Sequence, residues 1–330
     1  MRCTSKKIKL RLLCLCFIIA VFITGCGGSK AALTKEYDVY SYENNILNDY
    51  SGEDATYFAE NYCVTDTENF GTEKTDAWVA HGAGVFNIST NEVLYNQNIF
   101  DQLYPASTTK ILTAYIIIRD CDLDSIVTVS EDAAIQEEEG SSIAGLMPGD
   151  NISVRDLLYG LMLPSGNDAA EALAEYHSGS LAAFAEVMNQ TALELGATGS
   201  HFKNPSGLPD KEHYTTVYDM HLFFKEALKS PEFVEIISSQ TKTVTYTNAN
   251  GSRVQRTYYN GNKYLSGEIE APKGFTVIGG KTGTTSAAKY CLVLYSQNPD
   301  GEDIISIVYK ADCRHNLYWL MNQILRLFAK

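Results

Sequence analysis

Residues 275–310 read FTVIGGKTGTTSAAKYCLVLYSQNPDGEDIISIVYK. Three apolar-rich runs stand out in this stretch: Phe275 to Thr284, Lys289 to Ser296 and Asp303 to Lys310. Turn residues separate them, and Asn298-Pro299-Asp300-Gly301 joins the last two as a hairpin. They predict three neighbouring strands. Within the first run, Gly279-Gly280 removes two side chains, as happens where another backbone or a ligand comes close. Helical spacing then runs from His315 to Phe328.

Working outward, Ala80 to Asn87 and Glu92 to Asn96 read as a strand pair across Ile88-Ser89-Thr90-Asn91. Between this pair and the triplet lies a helical block. It begins with Ser107 to Arg119 after Pro105; a helix opened by the Ser153 to Asp156 capping pattern and ended by Pro164 comes next. Asn167 to Tyr176, Ser180 to Leu195 and Thr216 to Leu228 follow as helices. Lys242 to Thr247 and Arg253 to Tyr259 form a hairpin. Hairpin turns at both ends of this order predict one antiparallel sheet whose outer segments meet, with the helices inserted between them. That is a mixed α/β (α+β) fold, without the regular strand and helix alternation of a dinucleotide-binding sheet. One domain, residues 77–330, accounts for it.

The front of the chain has a different character. Arg2, Lys6, Lys7, Lys9 and Arg11 precede an uncharged run from Leu12 to Thr24. At about thirteen residues the run is shorter than the roughly 20 that a spanning helix needs, so residues 1–25 read as a removable leader. Ile23-Thr24-Gly25-Cys26 resembles a bacterial lipobox, which makes Cys26 the expected lipid anchor. Residues 26–76 are rich in Asn, Asp, Glu, Ser and Tyr and read as a tether, whose tyrosines leave room for part of it to pack on the domain.

The whole chain carries a net charge of −14, and the five basic residues ahead of Cys26 would leave with the leader. Such acidity argues against nucleic acid or anionic lipid as a partner and serves solubility. Outside the leader and anchor the cysteines are Cys63, Cys121, Cys291 and Cys313, which permit three pairings. A Cys291 to Cys313 bridge and four buried thiols both remain open. No CxxC or HxxH spacing points to a metal. The six histidines are scattered, and none is assigned a role.

Three short motifs carry chemistry: Ser107-Thr108-Thr109-Lys110, Ser165-Gly166-Asn167 and Lys281-Thr282-Gly283. Each alone is common; their order and settings are not. A serine hydroxyl needs a base within reach, and residues i and i+3 share a helix face, which pairs Ser107 with Lys110. A partly buried Lys110 near Lys281 would lose its proton readily and serve as that base. Ser165 can relay a proton, and Asn167 offers an amide to a substrate peptide group. Lys281 and Thr282 would meet a carboxylate beside a strand edge that accepts extended peptide. The amides of Ser107 and Thr284 would form an oxyanion hole.

Taken with Pro105-Ala106, Leu163-Pro164, Asp168-Ala169, Phe202 to Leu208 and Thr216 to Met220, these motifs make the chain resemble the low-molecular-mass penicillin-binding proteins, the serine D-alanyl-D-alanine carboxypeptidases. The resemblance runs from about Ala80 to Leu327. It implies a β-lactamase-like fold with a five-stranded antiparallel sheet flanked by helices, and no metal or organic cofactor. It further implies a peptidoglycan stem peptide ending in D-Ala-D-Ala as substrate, and β-lactams as acylating inhibitors of Ser107. Arg314 falls near the place where the family often carries an arginine that holds the substrate carboxylate. Many relatives add a β-rich domain and a C-terminal amphipathic helix; here Cys26 would supply the membrane attachment instead. Two competing readings are a class A β-lactamase and a catalytically silent or slow peptidoglycan-binding or penicillin-binding module. The first lacks its Glu-x-x-Leu-Asn loop, and the second would leave the complete motif set without a purpose.

Overall fold

The computed structural model describes residues 61–135 and 141–330. The leader, Cys26 and the tether as far as residue 60 lie outside the described residues. Nine strands and eight α-helices are described, and they order as the sequence pattern implies, strand pair, helical block, strand triplet and helix.

The main sheet is built from β1 (Gly82–Asn87), β2 (Glu92–Gln97), β7 (Thr276–Thr285), β8 (Lys289–Gln297) and β9 (Asp303–Ala311). Its order is β2-β1-β9-β8-β7, and every neighbouring pair is antiparallel. The first and last segments of the domain thus meet at the β1–β9 pairing, in register from Gly82 opposite Tyr309 to Asn87 opposite Ile304.

Both faces of this sheet are covered, which is why its central strands read as unbroken apolar runs. Phe86, Val293, Ile305, Ile307 and Tyr309 turn to the helical block; Val85, Leu292, Leu294, Ile304 and Val308 turn to α8 (Arg314–Phe328). Alternate side chains leave opposite faces of a strand, so one run feeds two cores.

The helical block comprises α1 (Lys110–Asp120), α2 (Glu131–Ala134), α3 (Val154–Met162), α4 (Asn167–Ser178), α5 (Leu181–Glu194), α6 (Val217–Ala227) and α7 (Pro231–Ser238). Ser153, Ser180, Thr216 and Ser230 each accept the backbone N–H three residues on at the head of α3, α5, α6 and α7. A second sheet, absent from the sequence reading, joins β3 (Ile126–Thr128) and β4 (Asn151–Ser153) to the expected hairpin of β5 (Thr241–Thr247) and β6 (Arg253–Tyr259).

Residues 61–76, read as tether, contribute to the domain's packing. Cys63 is fully buried, Tyr218 Oη donates to its carbonyl at 2.9 Å, and Phe70 exchanges backbone hydrogen bonds with Asn96. Cys63, Cys121, Cys291 and Cys313 are all free, so the possible Cys291 to Cys313 bridge is not formed. Cys313 lies past the end of β9, where its sulfur accepts the Asn316 N–H at the head of α8. No described helix is long and apolar enough to cross a membrane.

Candidate active site

Ser107 lies on a 3-10 turn, Ala106–Thr109, that runs directly into α1. The continuous α-helix expected from Ser107 is corrected at this first turn. In 3-10 geometry residues i and i+3 eclipse, and Lys110 Nζ comes to 3.1 Å from Ser107 Oγ. The turn is pinned from several sides. Thr108 Oγ1 donates to Pro105 O at 2.8 Å and contacts Tyr309 Oη, while Thr109 Oγ1 meets His213 Nε2 at 2.9 Å. Ala106 is held at φ 48°, a left-handed conformation costing roughly 1–3 kcal/mol. Gly207 presses against it so closely that a Cβ there would sit 1.9 Å from Ala106 O, with φ +90 as a second reason for glycine.

Lys110 is wholly buried, and its nitrogen has three neighbours. Besides Ser107 Oγ, it donates to Asn167 Oδ1 at 2.7 Å and to the Ser206 carbonyl at 2.8 Å. Burial, then the nearby charge of Lys281, hold its pKa well below the usual lysine value. A neutral amine has two N–H bonds and one lone pair. With both N–H bonds taken by carbonyl oxygens, the lone pair is left for the Ser107 hydroxyl, which then donates.

Ser165 sits in the connection between α3 and α4 at φ 66°, a second strained non-glycine position. Its loop is held by Gly166 N to Gly160 O at 2.9 Å and Asn167 N to Ser142 O at 2.8 Å. Beside it, the buried Asp168 carboxylate accepts the amides of Ala144, Gly145 and Leu146 at 2.7, 2.8 and 3.0 Å. Lys281, on β7, reaches across to donate to Ser165 Oγ at 2.9 Å and to Thr282 O at 3.0 Å. Burial lowers its pKa to about 7.

Glycine lets β7 approach the serine turn. A Cβ on Gly283 would stand 2.9 Å from Pro105 O, 3.1 Å from Ala106 Cβ and 3.1 Å from Ser107 N. The close approach expected at Gly279 is made by backbone, since a Cβ there would meet Ile237 O at 2.6 Å. Between β7 and the helical block opens a cleft of about 330 Å³ lined by Ser107, Ser165, Thr282, Gly283, Thr284 and Arg314, among others. A smaller hollow of about 160 Å³ adjoins it at Ser107, Asn167 and Thr284. Arg314 is the first residue of α8, with its guanidinium 5.9 Å from the centre of the Tyr290 ring.

The family model of the D-alanyl-D-alanine carboxypeptidases, peptidase family S11, matches residues 69–313. The chain belongs to this family. It is 37% identical over 221 residues to D-alanyl-D-alanine carboxypeptidase DacF of Bacillus subtilis, across 64% of this chain and 53% of that protein. It is 35% identical over 241 residues to the D-alanyl-D-alanine carboxypeptidase of Streptomyces sp. strain K15, across 69% of this chain and 80% of that one. The chain thus spans about half the length of the Bacillus relative. Among solved structures, the Streptomyces K15 DD-transpeptidase superposes with a TM-score of 0.69 at 31% identity, over 76% of this chain and 98% of that one.

In this member of the carboxypeptidase family, Ser107, Lys110, Ser165, Asn167, Lys281, Thr282, Gly283, Thr284 and Arg314 converge on one place. Cys26 lies outside the described residues. Sequence reasoning missed the backbone and buried groups that hold these residues. The Ser206 carbonyl is presented by a loop wound on Asn204 Oδ1, which accepts the amides of Ser206, Gly207 and Leu208. Its sequence, Asn204-Pro205-Ser206-Gly207, signals a turn but not its contact with Lys110. His213, assigned no role, accepts the Lys203 N–H at Nδ1, and with that nitrogen occupied its Nε2–H donates to Thr109. It therefore ties this loop to the serine turn.

Proposed function

We propose that the protein is an extracytoplasmic serine carboxypeptidase that removes the terminal D-alanine from peptidoglycan stem peptides through an acyl-enzyme on Ser107. The observation that carries this reading is the Lys110 nitrogen, which stands against Ser107 Oγ with its N–H bonds occupied by Asn167 and Ser206.

As Ser107 Oγ attacks the penultimate D-alanine carbonyl, its proton passes to Lys110. The amides of Ser107 and Thr284 receive the developing oxyanion, where a single well-aimed donor is worth about 100- to 1,000-fold in rate. When the C–N bond breaks, the leaving nitrogen takes a proton from Lys110 by way of Ser165. D-Alanine departs, with Lys281, Thr282 and Arg314 having held its carboxylate and Asn167 the preceding peptide group. Water then attacks the ester, gives its proton to Lys110 and frees Ser107. A β-lactam enters by the same first step and stops at the ester.

Residues 1–25 serve as leader in this reading, Cys26 carries the lipid, and the segment up to the domain spaces it from the membrane. Cys26→Ser should release the protein from the membrane fraction; its retention would exclude that anchor. The activity is tested by D-alanine release from a stem pentapeptide by the full chain and by Ser107→Ala. Release that vanishes in the variant supports the reading. Folded, penicillin-labelled protein that releases no D-alanine would overturn it.

A further inference from the structure

Strand β6 reads Arg253-Val254-Gln255-Arg256-Thr257-Tyr258-Tyr259 and is an edge of the second sheet. Alternate side chains of a strand leave opposite faces. Arg253, Gln255, Thr257 and Tyr259 are exposed, whereas Val254, Arg256 and Tyr258 are at least half-covered, and Val254 and Tyr258 pack into the larger core. Arg256 thus stands where the alternation calls for an apolar residue. A guanidinium is rarely turned inward without an acceptor to meet it.

That acceptor is the Ala144 carbonyl, 3.1 Å from Arg256 Nη1. The approach is close, since a Cβ on Gly145 would stand 1.9 Å from the same nitrogen. The loop they meet, Ser142 to Met147, belongs to the Ser107 site. Ser142 lines both the cleft and the adjoining hollow, as Ser107 does. Its carbonyl accepts the Asn167 amide at 2.8 Å, and Asn167 Oδ1 in turn accepts from Lys110 Nζ at 2.7 Å. A Cβ on Gly166 would come within 2.7 Å of Ala144 N, so the loop lies directly on the Ser165-Gly166-Asn167 turn. The Asp168 carboxylate holds the amides of Ala144, Gly145 and Leu146, and Arg256 holds a carbonyl of the same three residues. Both kinds of backbone group in the loop are therefore tied, the N–H groups by the motif and the carbonyl by the second sheet.

We propose that Arg256 is a positioning residue for acylation of Ser107. It fixes the Ser142 to Met147 loop, the loop fixes Asn167, and Asn167 fixes the nitrogen of Lys110. The role rests on the reading above, in which Lys110 is the base. Arg256 itself lines neither the cleft nor the hollow, so it bears on the rate of the step rather than on the binding of the acylating compound.

Acylation of the full chain by a fluorescent penicillin, resolved by stopped flow into an affinity and a limiting rate, tests this. Arg256→Met keeps the apolar stem of the side chain and removes its donors. Its limiting rate should fall about 10- to 100-fold, with the affinity within about threefold of the wild type. In Arg256→Ala, millimolar guanidinium ion should restore the rate saturably, and tetramethylammonium at equal ionic strength should not. A loss confined to affinity, or a loss in folded Arg256→Ala that guanidinium leaves unchanged, would overturn the proposal. So would a wild-type rate in Arg256→Met; self-association of that variant would then assign the inward charge to protection of the sheet edge. If the wild type labels with penicillin yet releases no D-alanine, the carboxypeptidase reading fails, and these rates still decide the part of Arg256.

Discussion

Lys110 and Lys281 face each other across one cleft, both buried, yet the nitrogen of each has different company. Lys110 comes from the helical wall and finds two carbonyl acceptors besides Ser107. Lys281 comes from the strand wall and finds a hydroxyl and the carbonyl of its own neighbour. Desolvation lowers both pKa values, but only Lys110 has the other lysine's charge as a further cause of its depression. Two ionisable groups of one type thereby take different parts in the proposed mechanism, with Lys110 as its base and Lys281 standing at about 7. Burial alone does not assign a role; the acceptors around the nitrogen do.

The comparison breaks most severely if the base side is emptied. Lys110→Met should lower kcat/KM for D-alanine release by about 1,000- to 10,000-fold and slow penicillin acylation in parallel. Retention of fast acylation would transfer the base role to another group.

Lys281 is separated from Lys110 by the pH profile. Its pKa of about 7 means that the cation is present below that pH and lost above it. If the cation holds substrate, kcat/KM falls as pH rises through 7, while protonation of Lys110 supplies the acid limb. Lys281→Arg keeps the charge, so the alkaline limb should disappear from the accessible range even as the rate falls about tenfold. An unchanged alkaline limb would assign it elsewhere.

A steric change tests how closely the two walls must approach. Gly283→Ala places a methyl against Pro105 O and Ser107 N, backbone that yields little. A rate loss of about 10- to 100-fold is expected, since displacement by about an ångström costs that much, together with a lowered Tm and retained folding. A full loss of folding would mean that the contact is structural.

The smallest effect concerns the clamp behind the serine turn. Burial lowers the pKa of His213 from 6.5 to about 4. The unfolded chain therefore binds more protons between these values, and stability falls as pH drops from 6.5 towards 4. The neutral folded ring is worth on the order of 3 kcal/mol over that window. His213→Gln should flatten this acid loss in urea melts at pH 7 and pH 4.5, and lower kcat by severalfold through the loosened Thr109 contact. His221, stacked on Phe86 and lowered to about 3, would keep part of the acid sensitivity.

Much of the fold and most of the reacting residues were legible because their signals are local. Ser107 and Lys110 are one turn apart, Ser165-Gly166-Asn167 follows a helix-ending Pro164, and strands buried on both faces announce themselves as apolar runs. What was hidden depends on contacts distant in sequence. The Ser206 carbonyl has no side-chain signature, and His213 is recognisable only once Thr109 is beside it. β3 and β4 have three residues each, too few for alternation to show. The tyrosines of the polar stretch hinted that part of it packs on the domain, but nothing in the pattern singled out Cys63 and Phe70 as the residues that do so. Helix α7 was missed despite a local signal, Ser230 as cap with Pro231 in the first turn.

The central claim is that Ser107 is the acylated nucleophile, and intact mass followed by peptide mapping after brief exposure to penicillin tests it most directly. One penicilloyl group on the peptide containing Ser107, absent from Ser107→Ala, is the expected result. An adduct that persists in the variant or maps to another residue would contradict it.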